Sequence, residues 1–91
     1  MPSRTITVTQ AHINAGKKHS CASCPVSLAI TEAVNHTAYV CAEDYCFKGM
    51  AGLYSFPERV TLWIHDFDRG AFVSPFQFTL EIPDALGGEA A

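Results

Sequence analysis

Basic residues are scarce in this chain: six Lys and Arg stand against nine Asp and Glu, for a formal net charge of −3. That balance argues against direct nucleic-acid binding, which needs a concentrated basic face to displace counterions from phosphates. The only basic cluster, "GKKH" at 16–19, reads as solvated loop. No apolar run approaches the roughly 20 residues that cross a bilayer. The start, "MPSRTITVTQ", lacks a basic region leading into an apolar stretch, so a cytoplasmic protein with no membrane partner is expected. Catalytic signatures are missing too. No glycine elbow surrounds Ser20, Ser23 or Ser27, and no Gly-rich phosphate loop follows the first strand pattern. The reading is of a protein that is not an enzyme.

What is present is core material. Ninety-one residues that are 48% hydrophobic, with six Phe, three Tyr and one Trp, suffice for one domain with a single core and no obligatory staple. That domain is expected over residues 1–83. Residues 84–91 carry no periodic pattern and read as a flexible tail.

"RTITVT" at 4–9 alternates polar residues with Ile6 and Val8, the period of a half-buried strand. Thr9 can cap a short turn, "QAHINA", packed through His12 and Ile13, with Gly16 as a left-handed stop. Ser23 or Cys24 can cap a helix whose first turn contains Pro25, and Val26, Ala29, Ile30, Ala33 and Val34 recur at helical spacing. "TAYVCA" at 37–42 predicts a second strand and Tyr45–Lys48 a weaker third, since Gly49 and Gly52 break the run after it. "SFPE" at 55–58 has the form of a capping box, with Ser55 as cap, ahead of a helix with Val60, Trp63, Ile64 and Phe67 on its buried stripe and Gly70 as its stop. A long alternation then places Phe72, Phe76, Phe78, Leu80 and Ile82 on one face of a last strand. Pro75 makes this an edge strand, or one that begins after the proline.

The order βαββαβ predicts an α+β fold, a small antiparallel or mixed sheet packed on two helices. It is the order of a ferredoxin-like sandwich, in which the last strand lies at an edge. The weak third strand fits that topology poorly, because there it would be central.

The four cysteines leave several chemistries open. Cys21 and Cys24 form C-x2-C, and Cys41 and Cys46 form a looser C-x4-C, so the four could hold a structural zinc, with His19 and His36 as substitutes. A thiol at a helix start is also favoured as thiolate, which would make Cys21 and Cys24 a redox pair. The plainest reading is small buried hydrophobes under the first long helix. No other cofactor is expected. His65, Asp66 and Asp68, beside Glu58, Arg59 and Arg69, read as a solvated helix face rather than acid–base machinery.

Three blocks, "VTQAHINAG", "CASCPVSLAI" and "WIHDFDRGAFVSPFQF", spanning residues 6 to about 80, resemble a group of small, largely uncharacterised proteins of tailed bacteriophages. Their pattern runs HI-x-x-G, C-x-x-CP-x-x-LA, then FD-x-G and V-x-PF-x-F. That pattern has no second cysteine pair, so Cys41 and Cys46 are departures from it. The resemblance carries no activity. It implies a phage-type accessory protein, a monomer or homodimer, acting without catalysis on a bacterial host or defence protein, as an inhibitor or in the manner of an anti-CRISPR. Acidic side chains can occupy a partner's positive cleft. The residues for such contact are Glu58, Asp66 and Asp68 on the second long helix, with Glu43 and Asp44 in the middle loop.

Overall fold

The structure, a computed structural model, describes residues 3–87. It is α+β: strand β1 (Ser3–Val8), helices α1 (Gln10–Ala15) and α2 (Pro25–Val34), strands β2 (Ala38–Val40), β3 (Asp44–Phe47) and β4 (Tyr54–Ser55), helix α3 (Glu58–Asp68), strand β5 (Phe76–Glu81) and a helical turn α4 (Asp84–Gly87).

The expected single sheet is divided in two. β1 pairs antiparallel with β5, Ile6 facing Phe78 and Arg4 facing Leu80, while β2, β3 and β4 form a separate antiparallel sheet in that order. The third strand is central, as the ferredoxin-like order requires, but its second neighbour is β4 rather than β1. β4 takes the edge of β3 that β1 would need, through Asp44 opposite Ser55 and Tyr45 opposite Tyr54. Ala38 donates its N–H to Thr31 Oγ1 and accepts from Ser27 Oγ, and Val40 donates its N–H to the Cys21 carbonyl. These bonds seat the outer edge of β2 against α2 and the loop before it.

Both sheets and both long helices close on one core of Ile6, Val8, Val26, Ile30, Val40, Tyr45, Phe47, Val60, Ile64, Phe78, Leu80 and Ile82. The alternation in β1 and β5 delivers Ile6, Val8, Phe78 and Leu80 to it, and the i, i+4 pair Val60 and Ile64 delivers α3. Trp63 and Phe67, on the same stripe, are half-buried. Trp63 stacks on Phe76 at 4.7 Å between ring centroids and donates its Nε1–H to the Ser74 carbonyl at 2.9 Å.

Local details depart from expectation at five places. Gly16 is not a left-handed stop: its φ is −72°, and its lack of a side chain matters because a Cβ there would lie 2.5 Å from the Pro25 ring. Ser55 does not cap α3. It belongs to β4 and donates to Asp44 Oδ1, so the N-cap is Pro57, with no side-chain cap bond. The last strand starts after Pro75, one of the two placements expected, but Phe72 is 91% exposed instead of sharing the face of Phe78. The strand expected over 37–42 shortens to three residues. Finally, part of the expected flexible tail is ordered as α4, with Leu86 packed against the core, while residues 88–91 lie outside the described residues. The caps of the first two helices are as read: Thr9 Oγ1 accepts from the His12 N–H, and Cys24 Sγ accepts from the Ser27 N–H with Pro25 in the first turn. Among the described residues no helix is long and apolar enough to cross a membrane.

Candidate functional site

The acidic residues fall into two groups rather than one face. Asp44 accepts from Ser55 Oγ, the Glu43 carbonyl accepts from the Phe56 N–H, and Glu58 opens α3 two residues later. These three therefore gather where β3, β4 and the start of α3 meet. Asp66 and Asp68 lie at the other end of α3, about 15 Å further along its axis. Both are engaged there. Asp66 Oδ1 accepts from Arg69 at 2.9 Å, and Asp68 Oδ1 accepts the His19 N–H at 3.0 Å. Asp68, only 19% exposed in its side chain, anchors a loop whose residue His19 is held at φ 57°.

Next to the first group is a slot of about 490 Å³ lined by Tyr45, Tyr54, Ser55, Phe56, Pro57, Thr79, Leu80 and Glu81. One wall is β4 and the other is the edge of β5 that faces away from β1. On that edge the Gln77 carbonyl accepts from Arg59 Nη2 and the Glu81 carbonyl accepts from Tyr45 Oη, at 2.7 and 2.6 Å. The two-residue period of a strand turns the backbone of Thr79 the same way. No side chain among the described residues reaches it. The walls are aromatic: Tyr45 stacks on Tyr54 at 5.3 Å and meets Phe56 at 4.7 Å. Burial first, then the charge of Glu81 and the neighbouring Tyr54, push the Tyr45 hydroxyl up to about 12, so it remains a donor at neutral pH. Glu81 lines this slot, and Glu43, Asp44 and Glu58 lie in the segments that flank it, with Arg59 next to Glu58 at the start of α3.

The cysteines assemble differently from the C-x2-C and C-x4-C pairs. Cys21, Cys24 and Cys41 line a second cavity of about 230 Å³ together with His19 and Asp68. Cys24 is 3% exposed, serves as the cap of α2, and has its thiol pushed up, chiefly by burial. Cys21 and Cys41 are exposed, and Cys46, half-buried on β3, sits opposite Tyr39 in the ladder. All four are free thiols. Burial pushes the Cys41 thiol up, and so do its hydrogen bond with the Cys21 side chain and the charges of Cys21, Cys46 and Asp44. Among the described residues no group of three or more His, Cys, Asp or Glu is gathered so as to hold a metal ion.

His12 and His36 serve local structure. His12 Nδ1 accepts the Thr9 N–H, which leaves the proton on Nε2 to meet Glu32 Oε1 at 2.6 Å, and His36 Nε2 donates to the Lys48 carbonyl. The slot was not foreseen in the sequence as a site. Its one advance signal was Pro75, which marks β5 as an edge strand. Compared with protein-family models, curated proteins and solved structures, the chain matches none.

Proposed function

We propose that the protein is a phage-type accessory protein that acts by binding, without catalysis, to a bacterial host or defence protein, and that the slot between β4 and β5 is where it binds. The observation that carries this reading is the open edge of β5 at Thr79, set in an aromatic slot with an acidic rim. A strand edge is completed by another extended backbone, which supplies ladder hydrogen bonds while its alternate side chains enter the slot. Glu81 in the slot, with Glu43, Asp44 and Glu58 in the flanking segments, favours a basic segment. The occupant is therefore an extended, basic stretch of the partner protein.

The test is capture from bacterial lysate by three forms of the protein, followed by crosslinking: the wild type, Thr79→Pro, and the combined Glu43→Lys, Asp44→Lys, Glu58→Lys variant. Proline removes the outward N–H of Thr79 and is tolerated on an edge strand. A bacterial protein retained by the wild type, lost by both variants and crosslinked within the slot is the expected result. Equal retention by all three, with circular dichroism showing each folded, would overturn it.

A zinc-stabilised module built on Cys21, Cys24, Cys41 and Cys46 is the second reading, favoured by the first three sharing one cavity. It requires Cys46 to swing toward them. Elemental analysis after purification in reductant decides: one zinc per chain supports this reading, and folded zinc-free protein removes it.

A further inference from the structure

We infer that Cys21 and Cys41 are a dithiol pair that closes to an intramolecular disulfide on exposure to a low-molecular-weight disulfide such as oxidised glutathione. The pairing crosses the sequence motif: Cys21 joins the thiol 20 positions away rather than Cys24, its C-x2-C neighbour.

Backbone geometry sets the pairing. The Val40 N–H donates to the Cys21 carbonyl at 2.8 Å, which brings the loop before α2 alongside the end of β2 at the spacing of hydrogen-bonded neighbours. A disulfide needs Cα atoms about 4.4–6.8 Å apart, and the Cys21 and Cys41 side chains lie within reach of each other. Cys41 follows Val40 directly, and its own N–H is fixed to the Asp44 carbonyl at 2.8 Å. Cys21 and Cys41 are both exposed, and both line the rim of the same cavity. Cys24 shares that cavity but is buried, and its sulfur is occupied by the Ser27 N–H. An oxidant from solvent therefore meets Cys21 and Cys41 and not Cys24.

The chemistry is two successive exchanges. The Cys21 thiolate attacks one sulfur of glutathione disulfide, forming a mixed disulfide and releasing one glutathione thiolate. Cys41 then loses its proton and attacks the Cys21 sulfur, forming the Cys21–Cys41 bond and releasing the second glutathione. The two thiol protons pass to the two released glutathiones, and the pair gives up the two electrons that reduce the oxidant. Cys41 suits the second role because it lines the same cavity and its N–H is anchored to the Asp44 carbonyl, which keeps it beside Cys21 as the mixed disulfide forms. The product ties the loop of residues 16–24 to β2 across the mouth of the cavity.

The experiment treats the full chain, purified in reductant and then freed of it, with a graded glutathione disulfide series, followed by intact mass and peptide mapping under non-reducing conditions. The expected result is loss of two hydrogens, a mapped Cys21–Cys41 link, reversal by dithiothreitol, and a urea midpoint that rises on oxidation. Cys24→Ala should still form the link. Cys41→Ser should stop at a glutathione adduct on Cys21. A Cys21–Cys24 or Cys41–Cys46 link, intermolecular disulfides alone, or four thiols still free at the oxidising end of the series would each overturn the inference.

Discussion

The Tyr45 hydroxyl donates to the Glu81 carbonyl across 2.6 Å, and this bond joins the two sheets. β3 and β5 share no ladder, so a side chain at the centre of one sheet satisfies the backbone edge of the other. The ring itself is buried among Phe47, Tyr54 and Phe56. Tyr45→Phe keeps that packing and removes only the donor. Urea unfolding should show a loss of about 1 kcal/mol with an unchanged slope.

The same residue predicts a pH dependence. Its folded pKa of about 12 lies above the ordinary value of 10.0. Between those values the unfolded chain releases the proton while the folded chain keeps it, so the folded state binds more protons and stability falls as pH rises. The contribution is complete below about pH 10 and gone above about pH 12. Unfolding curves across that window should fall more steeply for wild type than for Tyr45→Phe. Parallel curves would place the titration elsewhere.

Gly16→Ala should be destabilising despite a φ that any residue adopts. The added methyl would stand 2.5 Å from Pro25 Cδ and Cγ and 2.7 Å from its nitrogen, atoms of a rigid ring at the start of α2. Overpacking of this kind costs roughly 1–3 kcal/mol. A thermal melt at or above that of wild type would show that the contact relaxes without cost.

Phe72→Ala should leave stability within about 0.5 kcal/mol of wild type, because a side chain 91% exposed has little packing to lose. A drop in the urea midpoint equivalent to more than about 1 kcal/mol would return Phe72 to the core face that strand alternation assigned it.

Cys24→Ala should cost about 1–2 kcal/mol, combining loss of the cap bond to the Ser27 N–H with lost burial of the sulfur. A colorimetric thiol reagent at pH 8 should label the exposed Cys21 and Cys41 in the native protein, Cys41 the more slowly because its thiol is pushed up, and Cys24 only after denaturant is added. Fast native labelling of Cys24, mapped by peptide mass, would contradict its burial.

Much of the secondary structure was legible because its causes are local. Ile6 and Val8 alternate, Thr9 caps, Pro25 opens α2, and Val60 and Ile64 sit one turn apart, each a pattern completed within a few residues. The same logic misled at Ser55, whose spacing to Glu58 is correct for a capping box but whose hydroxyl is taken by Asp44 from a neighbouring strand. It misled at Phe72 as well. Alternation continues through Pro75 in the sequence, yet the ladder starts only at Phe76, since proline has no N–H to give.

Hydrophobic period and capping chemistry act over one or two turns, so the order of residues was enough to specify the α+β class, the two long helices and the strands that flank them. Two outcomes were settled only when the chain closed on itself: the split of the sheet, and the approach of Cys41 to the cavity that Cys21 lines. Each of them depends on long-range hydrogen bonds, such as Val40 to Cys21 and Tyr45 to Glu81. Such bonds join residues far apart in the chain, and their partners are selected by competition among all the donors and acceptors the fold brings together.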